Sequence, residues 1–387
     1  MTSNSDQITL HNAYILAGPH TLVDLPREER FSEAAGNNLL RRIGIRCADG
    51  TIPDYGADVF RHRWPTPIEL SALEDKVDLL AGRFFYGGLI GPQFGHVLTQ
   101  SLGRLWAVEK DIPIIYLSTH QGFSALPNYF LKLLEILGVQ NPVFLQHQPC
   151  HVAQLILAKD HCNLERRPPI SPLFHRWLAQ RRPKVDVQDD LSIYVSRADL
   201  GLTQGQYLQE SALEHALRDQ GYQVIYPETL PIQDQVDLYL RAKRLIFADG
   251  SAVHLWSLFA RADQMAAMIC RRAIHPRMAR WFKRLPNAKL QFLDHRLAEF
   301  EGKLHSLNQV RGGNKSVALL DMGKIWDDLA ENGFHSARQS YFPRAPEIAL
   351  WLAQIAKGAD ALGCLPFELD AQSRALLASR LHLIGLV

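Results

Sequence analysis

Apolar positions along the chain follow two alternating rhythms. Residues 83–90, 112–117, 142–146, 191–196, 223–226, 244–248 and 264–270 form short runs rich in apolar, β-branched or aromatic side chains, the pattern of buried strands. Between them, apolar residues recur three and four apart. Leu98, Leu102, Leu105 and Trp106 do so within 98–110, and the same spacing marks 128–137, 210–220, 233–242 and a segment opening near residue 252. Gly138 and Gly221 follow two of these helical stretches directly, as helix C-caps do. Two further β-type runs, 8–16 and 38–47, precede the turn residues Asp49-Gly50 and Pro53-Asp54. This strand–helix alternation predicts an α/β fold whose parallel sheets are joined by crossover helices.

The rhythm breaks between residues 165 and 190, where Arg166-Arg167-Pro168-Pro169, Arg181-Arg182-Pro183 and Asp189-Asp190 crowd together. The chain therefore divides into residues 1–180, residues 181–345 and a tail, 346–387, in which 347–356 and 371–383 read as terminal helices. A length of 387 residues exceeds one ordinary core and suits two Rossmann-like lobes.

Composition narrows the classes of function. Hydrophobic residues make up 47 % of the chain and charged residues 21 %, as in globular proteins. Lys and Arg total 42 against 40 Asp and Glu, so the overall charge does not call for a nucleic-acid partner. The first sixteen residues lack a basic segment leading into an apolar one, and no apolar run approaches the roughly 20 residues of a spanning helix. Cys47, Cys150, Cys162, Cys270 and Cys364 are odd in number and scattered, which fits a reducing cytoplasm better than a disulfide framework.

Chemistry-bearing residues gather at three consecutive strand ends in the second lobe. Tyr194-Val195-Ser196-Arg197 delivers a hydroxyl and a guanidinium where ligands of open α/β sheets lie, although an arginine there equally serves as a structural pair. Asp249-Gly250-Ser251-Ala252-Val253-His254 joins a strand to a helix through small residues. The helix N-terminus there would attract phosphate, or Asp249 or Ser251 would simply cap it. Tyr226-Pro227-Glu228 presents a carboxylate suited to ribose hydroxyls. Together these segments predict a nucleotide site. In the first lobe Phe94-Gly95-His96 follows Gly87, Gly88 and Gly91, and His96 is the candidate general base.

Other patterns carry less. Residues 311–316 lack the adjacent Gly-Lys of a phosphate-binding P-loop. His147, Cys150, His151, His161 and Cys162 are zinc-type ligands without zinc-type spacing. No Asp-x-Asp occurs, so no carboxylate pair of the kind that holds a divalent cation on a nucleotide sugar is present, and metal independence is expected. Residues 277–285 set Arg277, Arg280, Lys283 and Arg284 around Met278, Trp281, Phe282 and Leu285. Such a helix either rests on anionic lipid at the inner face of a membrane or turns its apolar side to the core.

These motifs, in this order, resemble glycosyltransferase family 61, which includes bacterial capsular polysaccharide transferases, plant xylosyltransferases and animal O-linked N-acetylglucosaminyltransferases. Phe94-Gly95-His96 with Arg104-Leu105-Trp106 matches its first block; Tyr194-Val195-Ser196-Arg197, Tyr226-Pro227-Glu228, Gln235 and Gly250-Ser251-Ala252 match the rest. Gln100 stands where the family is often acidic, and Asp249 where many members have histidine. The resemblance implies a GT-B fold and an inverting transferase without cofactor or metal. It passes a sugar from a nucleotide-sugar donor, by default a uridine diphosphate sugar, to an oligosaccharide or polysaccharide acceptor in surface polysaccharide synthesis. It further implies that Arg197 and the Gly250-Ser251 backbone hold the phosphates, that Ser196, Asp249, Ala252 and His254 belong to the same donor site, and that Glu228 and Gln235 serve the nucleoside. Gly95 and Arg104 would support His96. Two alternatives remain open: a nucleotide-sugar epimerase of the same architecture, and a non-catalytic nucleotide- or glycan-binding subunit of a polysaccharide assembly complex.

Overall fold

The computed structural model describes residues 6–16, 44–55, 77–118, 123–162, 171–200, 204–207, 210–272, 276–283, 289–300, 303–304, 317–336 and 364–365. The expected tail helices and the segment 311–316 lie outside them. The chain forms two compact units, Met1–Pro183 and Lys184–Val387. Both are mixed α/β structures built on sheets that contain parallel strands.

The first unit contains, in chain order, β1 (Gln7–Leu16), β2 (Gly44–Arg46), β3 (Asp78–Ile90), α1 (Phe94–Gln100), β4 (Ile114–Ser118), α2 (Asn128–Ile136), β5 (Val143–Gln146), β6 (Cys150–Ala158) and α3 (Pro172–Arg181). Its sheet has the order β2-β1-β6-β3-β4-β5. Strands β6, β3, β4 and β5 run parallel, whereas β1 pairs antiparallel with both β6 and β2. The expectation of a parallel Rossmann-like sheet therefore holds for four strands and fails at one edge.

Other local expectations change too. Strand β6 lies among the histidines and cysteines of 147–162, where the sequence shows zinc-type ligand residues and no strand was expected. Helix α3 lies within the stretch where the strand–helix rhythm breaks, just before the division between the two units. Its start is well specified, because the Ser171 hydroxyl accepts the Phe174 N–H at 3.2 Å and Pro172 fills a first-turn position that needs no donor. Gly138 adopts φ +68° just beyond α2, the left-handed geometry expected of its cap position.

The helix expected over 98–110 begins earlier and breaks at Ser101. The Ser101 hydroxyl donates to the Leu89 carbonyl at 2.7 Å, and a short 3-10 turn follows at Leu105–Ala107. The break lets Arg104 turn inward. Its guanidinium meets Asp160, just beyond β6, at 3.5 Å, with both side chains fully excluded from solvent, and lies over the Tyr86 ring. Gly103 makes the approach possible, since a Cβ there would sit 1.9 Å from Asp160 Oδ1.

The second unit continues with β7 (Gln188–Val195), α4 (Glu210–Asp219), β8 (Gln223–Ile225), α5 (Ile232–Arg241), β9 (Ala242–Ala248), α6 (Ala252–Phe259), β10 (Met265–Ile269), α7 (Pro276–Lys283), β11 (Leu290–Leu293) and, later, α8 (Met322–Glu331). Its principal sheet has the order β11-β10-β9-β7-β8, and every pairing in it is parallel. Side-chain alternation along β9 divides the core. Ile246 and Ala248 join Leu213 and Leu217 of α4 and Ile325, Trp326 and Leu329 of α8, while Phe247 meets Tyr239 of α5 and Trp256 of α6. Strand β7 leads to β8 on one side, whereas β9, β10 and β11 are added on the other. The order thus reverses between β7 and β9, and the carboxyl ends of these two strands flank the crevice in which ligands of open α/β sheets bind.

The Gly103→Ala substitution should force Asp160 and Arg104 apart and cost about 3 kcal/mol, the scale of a broken buried ion pair. Urea denaturation measures it; a loss below about 1 kcal/mol would mean that the first unit does not depend on this pair.

Candidate functional site

The reversal point is where the chemistry gathers. Ser196 and Arg197 leave β7, and Asp249, Gly250 and Ser251 leave β9. The Arg197 guanidinium lies directly against Gly250, where a Cβ would sit 2.6 Å from Nη1 and 3.0 Å from Cδ. A side chain at 250 would displace Arg197 from this position, so glycine is what lets the guanidinium lie in contact with the turn. Arg197 is half-buried, and its Nη2 and Nε donate to the carbonyls of Gln204 at 2.6 Å and Gly205 at 3.3 Å. Burial pulls its pKa below the usual range. Glu210, Asp249 and Glu228 oppose that shift, while Arg272 adds to it. These groups share one electrostatic neighbourhood.

Neither expected cap covers the start of α6. Ser251 occupies the N-cap position without a side-chain hydrogen bond, and the Asp249 carboxylate points elsewhere. Asp249 is wholly buried. It accepts from Arg272 Nε at 3.1 Å and Nη2 at 3.4 Å, while its carbonyl accepts from Arg271 Nε at 3.2 Å. The first-turn amides of α6 thus receive no side-chain partner from the residues best placed to supply one, an arrangement suited to an anion.

Several residues assigned to the site turn into the protein instead. The Ser196 hydroxyl is inaccessible and donates to Glu214 Oε1 at 2.6 Å and Glu210 Oε1 at 3.1 Å. Both amide protons of Gln235 go to carbonyls flanking the Glu228 turn, Pro227 at 2.7 Å and Leu230 at 3.0 Å, so Gln235 fixes that turn rather than offering them to a nucleoside. His254 is buried in the first turn of α6, stacked on Phe282 and tilted against Trp281 of α7. The same packing spends the apolar side of α7. Trp281 and Phe282 are buried while Arg280 and Lys283 face solvent, the second of the two arrangements open to this helix, in which its apolar side turns to the core. Glu228 is exposed on the 3-10 turn Pro227–Thr229 just past β8, and Ala252 is the first residue of α6.

Two acidic residues not anticipated from sequence hold the rim together. Glu210, 3 % exposed, accepts through one oxygen from the Arg197 N–H at 2.7 Å, the Tyr194 hydroxyl at 3.0 Å and the Ser196 hydroxyl, while Tyr194 also pairs with Tyr207. Glu214, one turn on, accepts from the Tyr226 hydroxyl at 2.9 Å and from Arg218 at 3.2 Å. Helix α4 thereby ties the end of β7 to the end of β8.

In the first unit, His96 is exposed in the first turn of α1, just past the carboxyl end of β3. The Gly95 carbonyl accepts from the Thr99 hydroxyl at 2.9 Å, and Gln100 is buried. Arg104 supports the unit from within through its pair with Asp160. Trp106 does so by donating from Nε1 to the Lys159 carbonyl at 2.9 Å. Among the described residues no group of three or more His, Cys, Asp or Glu side chains is assembled for a metal ion.

Burial raises the Glu210 pKa to about 7 from an ordinary 4.5. The folded state therefore holds this proton more tightly than the unfolded chain does. The stabilisation is complete below about pH 4.5 and disappears as the pH rises through about 7. The Glu210→Gln variant, neutral throughout, should lose this decline in denaturation profiles taken from pH 4.5 to 7.5; parallel profiles for both proteins would rule the titration out.

Compared with known proteins, residues 94–288 match the family described as Glycosyltransferase 61. No curated protein matches the chain.

Proposed function

The chain belongs to glycosyltransferase family 61, and on that premise we propose that the crevice between β7 and β9 binds the diphosphate of a nucleotide sugar, by default a uridine diphosphate sugar. The observation that carries this reading is the seating of Arg197 on Gly250 beside the uncapped start of α6, at the reversal point of an all-parallel sheet. Arg197 supplies forked donors and the Gly250-Ser251 segment supplies main-chain amides. Glu228, on the turn at the neighbouring strand end, accepts the ribose hydroxyls in this reading.

In this reading the enzyme inverts the anomeric carbon. The acceptor hydroxyl attacks that carbon as the bond to the phosphate oxygen breaks, and the departing nucleoside diphosphate gains negative charge. Arg197 and the α6 amides stabilise that charge, the task a divalent cation performs in other transferases. His96, exposed and carried by the first unit, takes the acceptor proton. The two units are the lobes of a GT-B enzyme, and the acceptor is a growing bacterial surface glycan. Among the described residues no helix is long and apolar enough to cross a membrane. In this reading the enzyme works in a reducing cytoplasm.

Uridine diphosphate should raise the melting temperature of the protein, because a ligand bound only by the native form stabilises it. The Arg197→Ala variant should bind it about tenfold more weakly or worse in calorimetry. Unchanged affinity would remove the arginine from the site. With His96→Ala, nucleotide affinity should persist while sugar transfer falls by about a hundredfold or more; transfer at the parent rate would exclude His96 as the base.

A further inference from the structure

We propose that Glu210 is a positioning residue of the donor crevice, acting through Arg197, and that it takes up a proton from solvent as a nucleoside diphosphate binds and returns it when the ligand leaves. This rests on the donor-site reading above and says how a rim lined with carboxylates accepts an anion.

Among the described residues, the arginines that meet at this rim are matched one for one by acids. Arg197 and Arg272 act on each other there, Arg271 donates to the Asp249 carbonyl, and Arg218 lies behind them on α4. Against them stand Glu210, Glu228 and Asp249, all of which act on Arg197, and Glu214, which accepts from Arg218. With every group ionised, the crevice offers a multiply charged anion no net positive charge. One proton on one of the carboxylates tips the balance toward the ligand.

The packing selects which carboxylate gains it. Asp249 is paired with Arg272 and Glu214 with Arg218, while Glu228 is exposed to water. Glu210 is 3 % exposed and has no ion-pair partner. Its Oε1 accepts the Arg197 N–H and the Tyr194 hydroxyl, whereas its Oε2 is buried without a hydrogen-bond partner. The groups around it come from β7 (Tyr194, Ser196, Arg197), from the segment before α4 (Tyr207) and from α4 itself (Glu214). Glu210 and Glu214 share one hydroxyl, that of Ser196, at 3.1 and 2.6 Å. A single hydroxyl hydrogen serves one carboxylate at a time, so two ionised ones compete for it.

The direction of the coupling follows from Arg197. Burial raises the Glu210 carboxyl to about 7, and its hydrogen bonds and the Arg197 charge hold it from rising further. A bound diphosphate offsets that charge, so the ionised carboxylate loses support and keeps its proton to higher pH in the complex than in the free protein. By linkage the affinity is full below about pH 7 and falls as the pH rises from there through the higher pKa of the complex.

Calorimetric titration of the full chain with uridine diphosphate, in HEPES and in Tris, counts the protons bound with the ligand, because the two buffers ionise with different heats. From pH 7 to 8.5, above the ionisation of a terminal phosphate near pH ~6, the parent should take up about half a proton or more and lose affinity about fivefold or more. The Glu210→Gln variant keeps an acceptor for the Arg197 N–H and is neutral throughout. It should bind without uptake and with nearly constant affinity over this range. Weaker binding at every pH with the uptake intact would make Glu210 merely structural. Uptake that persists in this variant belongs elsewhere, as at His254 in the first turn of α6, and overturns the inference. Where the variant does not fold, infrared difference spectra of the parent labelled with carbon-13 glutamate decide. Uridine diphosphate added at pH 7.5 should bring up a protonated-carboxyl band that shifts with the label; no such band overturns the inference. Binding without proton uptake in a parent that loses uridine diphosphate on Arg197→Ala overturns this inference alone. If Arg197→Ala binds uridine diphosphate like the parent, the donor-site reading itself falls.

Discussion

A single carboxylate oxygen, Glu210 Oε1, sets the geometry of the second unit's rim. By accepting the Arg197 main-chain N–H together with the hydroxyls of Tyr194 and Ser196, it fixes the path of the chain as it leaves β7. The direction in which the Arg197 side chain departs follows from that path, and so does its fit over Gly250. Such an arrangement is expensive to leave half-made, since each buried donor or acceptor without a partner costs roughly 1–3 kcal/mol. The network is accordingly dense, and it spreads through Ser196 and Glu214 to Tyr226, which neighbours the turn bearing Glu228. Helix α4 thus acts as a brace spanning two strand ends, and the groups it braces are those that face the crevice.

The second unit was largely legible in the sequence because its physics is local. Parallel strands buried on both faces read as uninterrupted apolar runs, and the helices between them show clear periodicity, so the segments ending at Val195, Ile225 and Ala248 could be placed on one rim. What the sequence could not convey was strand order. Only the insertion of β7 between β8 and β9 brings Arg197 against Gly250, and that neighbourhood is a property of the tertiary pairing. Side-chain direction was equally hidden. Ser196, Gln235, Asp249 and His254 sit in the expected motifs yet point inward, because each has a buried partner that the linear pattern does not reveal.

The first unit was harder to read for a different reason. Strand β1 pairs antiparallel with β6 across more than a hundred residues of sequence, and neither announces its partner. The order Gly-His, then Arg-Leu-Trp, suggests one continuous helix carrying a functional face. The structure instead separates its members. His96 lies exposed in the first turn of α1, while Arg104 is sealed against Asp160 and Trp106 is anchored to the Lys159 carbonyl. Helical spacing survives in Leu98, Leu102 and Leu105 because a helix followed by a 3-10 turn keeps the same face to the core. Gly103 is the residue that permits this break, by clearing space for Asp160. One motif therefore mixes an accessible imidazole with two structural anchors.

The contrast between the two buried arginine–carboxylate pairs shows how the same chemistry is put to different ends. Arg104 and Asp160 are both fully excluded from water, so the pair closes on itself and its effect is confined to holding the segment after α1 to the end of β6. Asp249 is just as deeply buried, but Arg272 is not, and the pair is therefore asymmetric: the negative end is inside and the positive end leans out. An ion pair of this kind contributes little to stability beyond what it costs to desolvate. Its effect is on direction, because the buried carboxylate fixes the plane of a guanidinium that is itself only partly buried. That plane is set at the same rim as the first turn of α6 and the contact of Arg197 with Gly250, so side chains from two neighbouring strand ends fix the geometry of one turn between strand and helix.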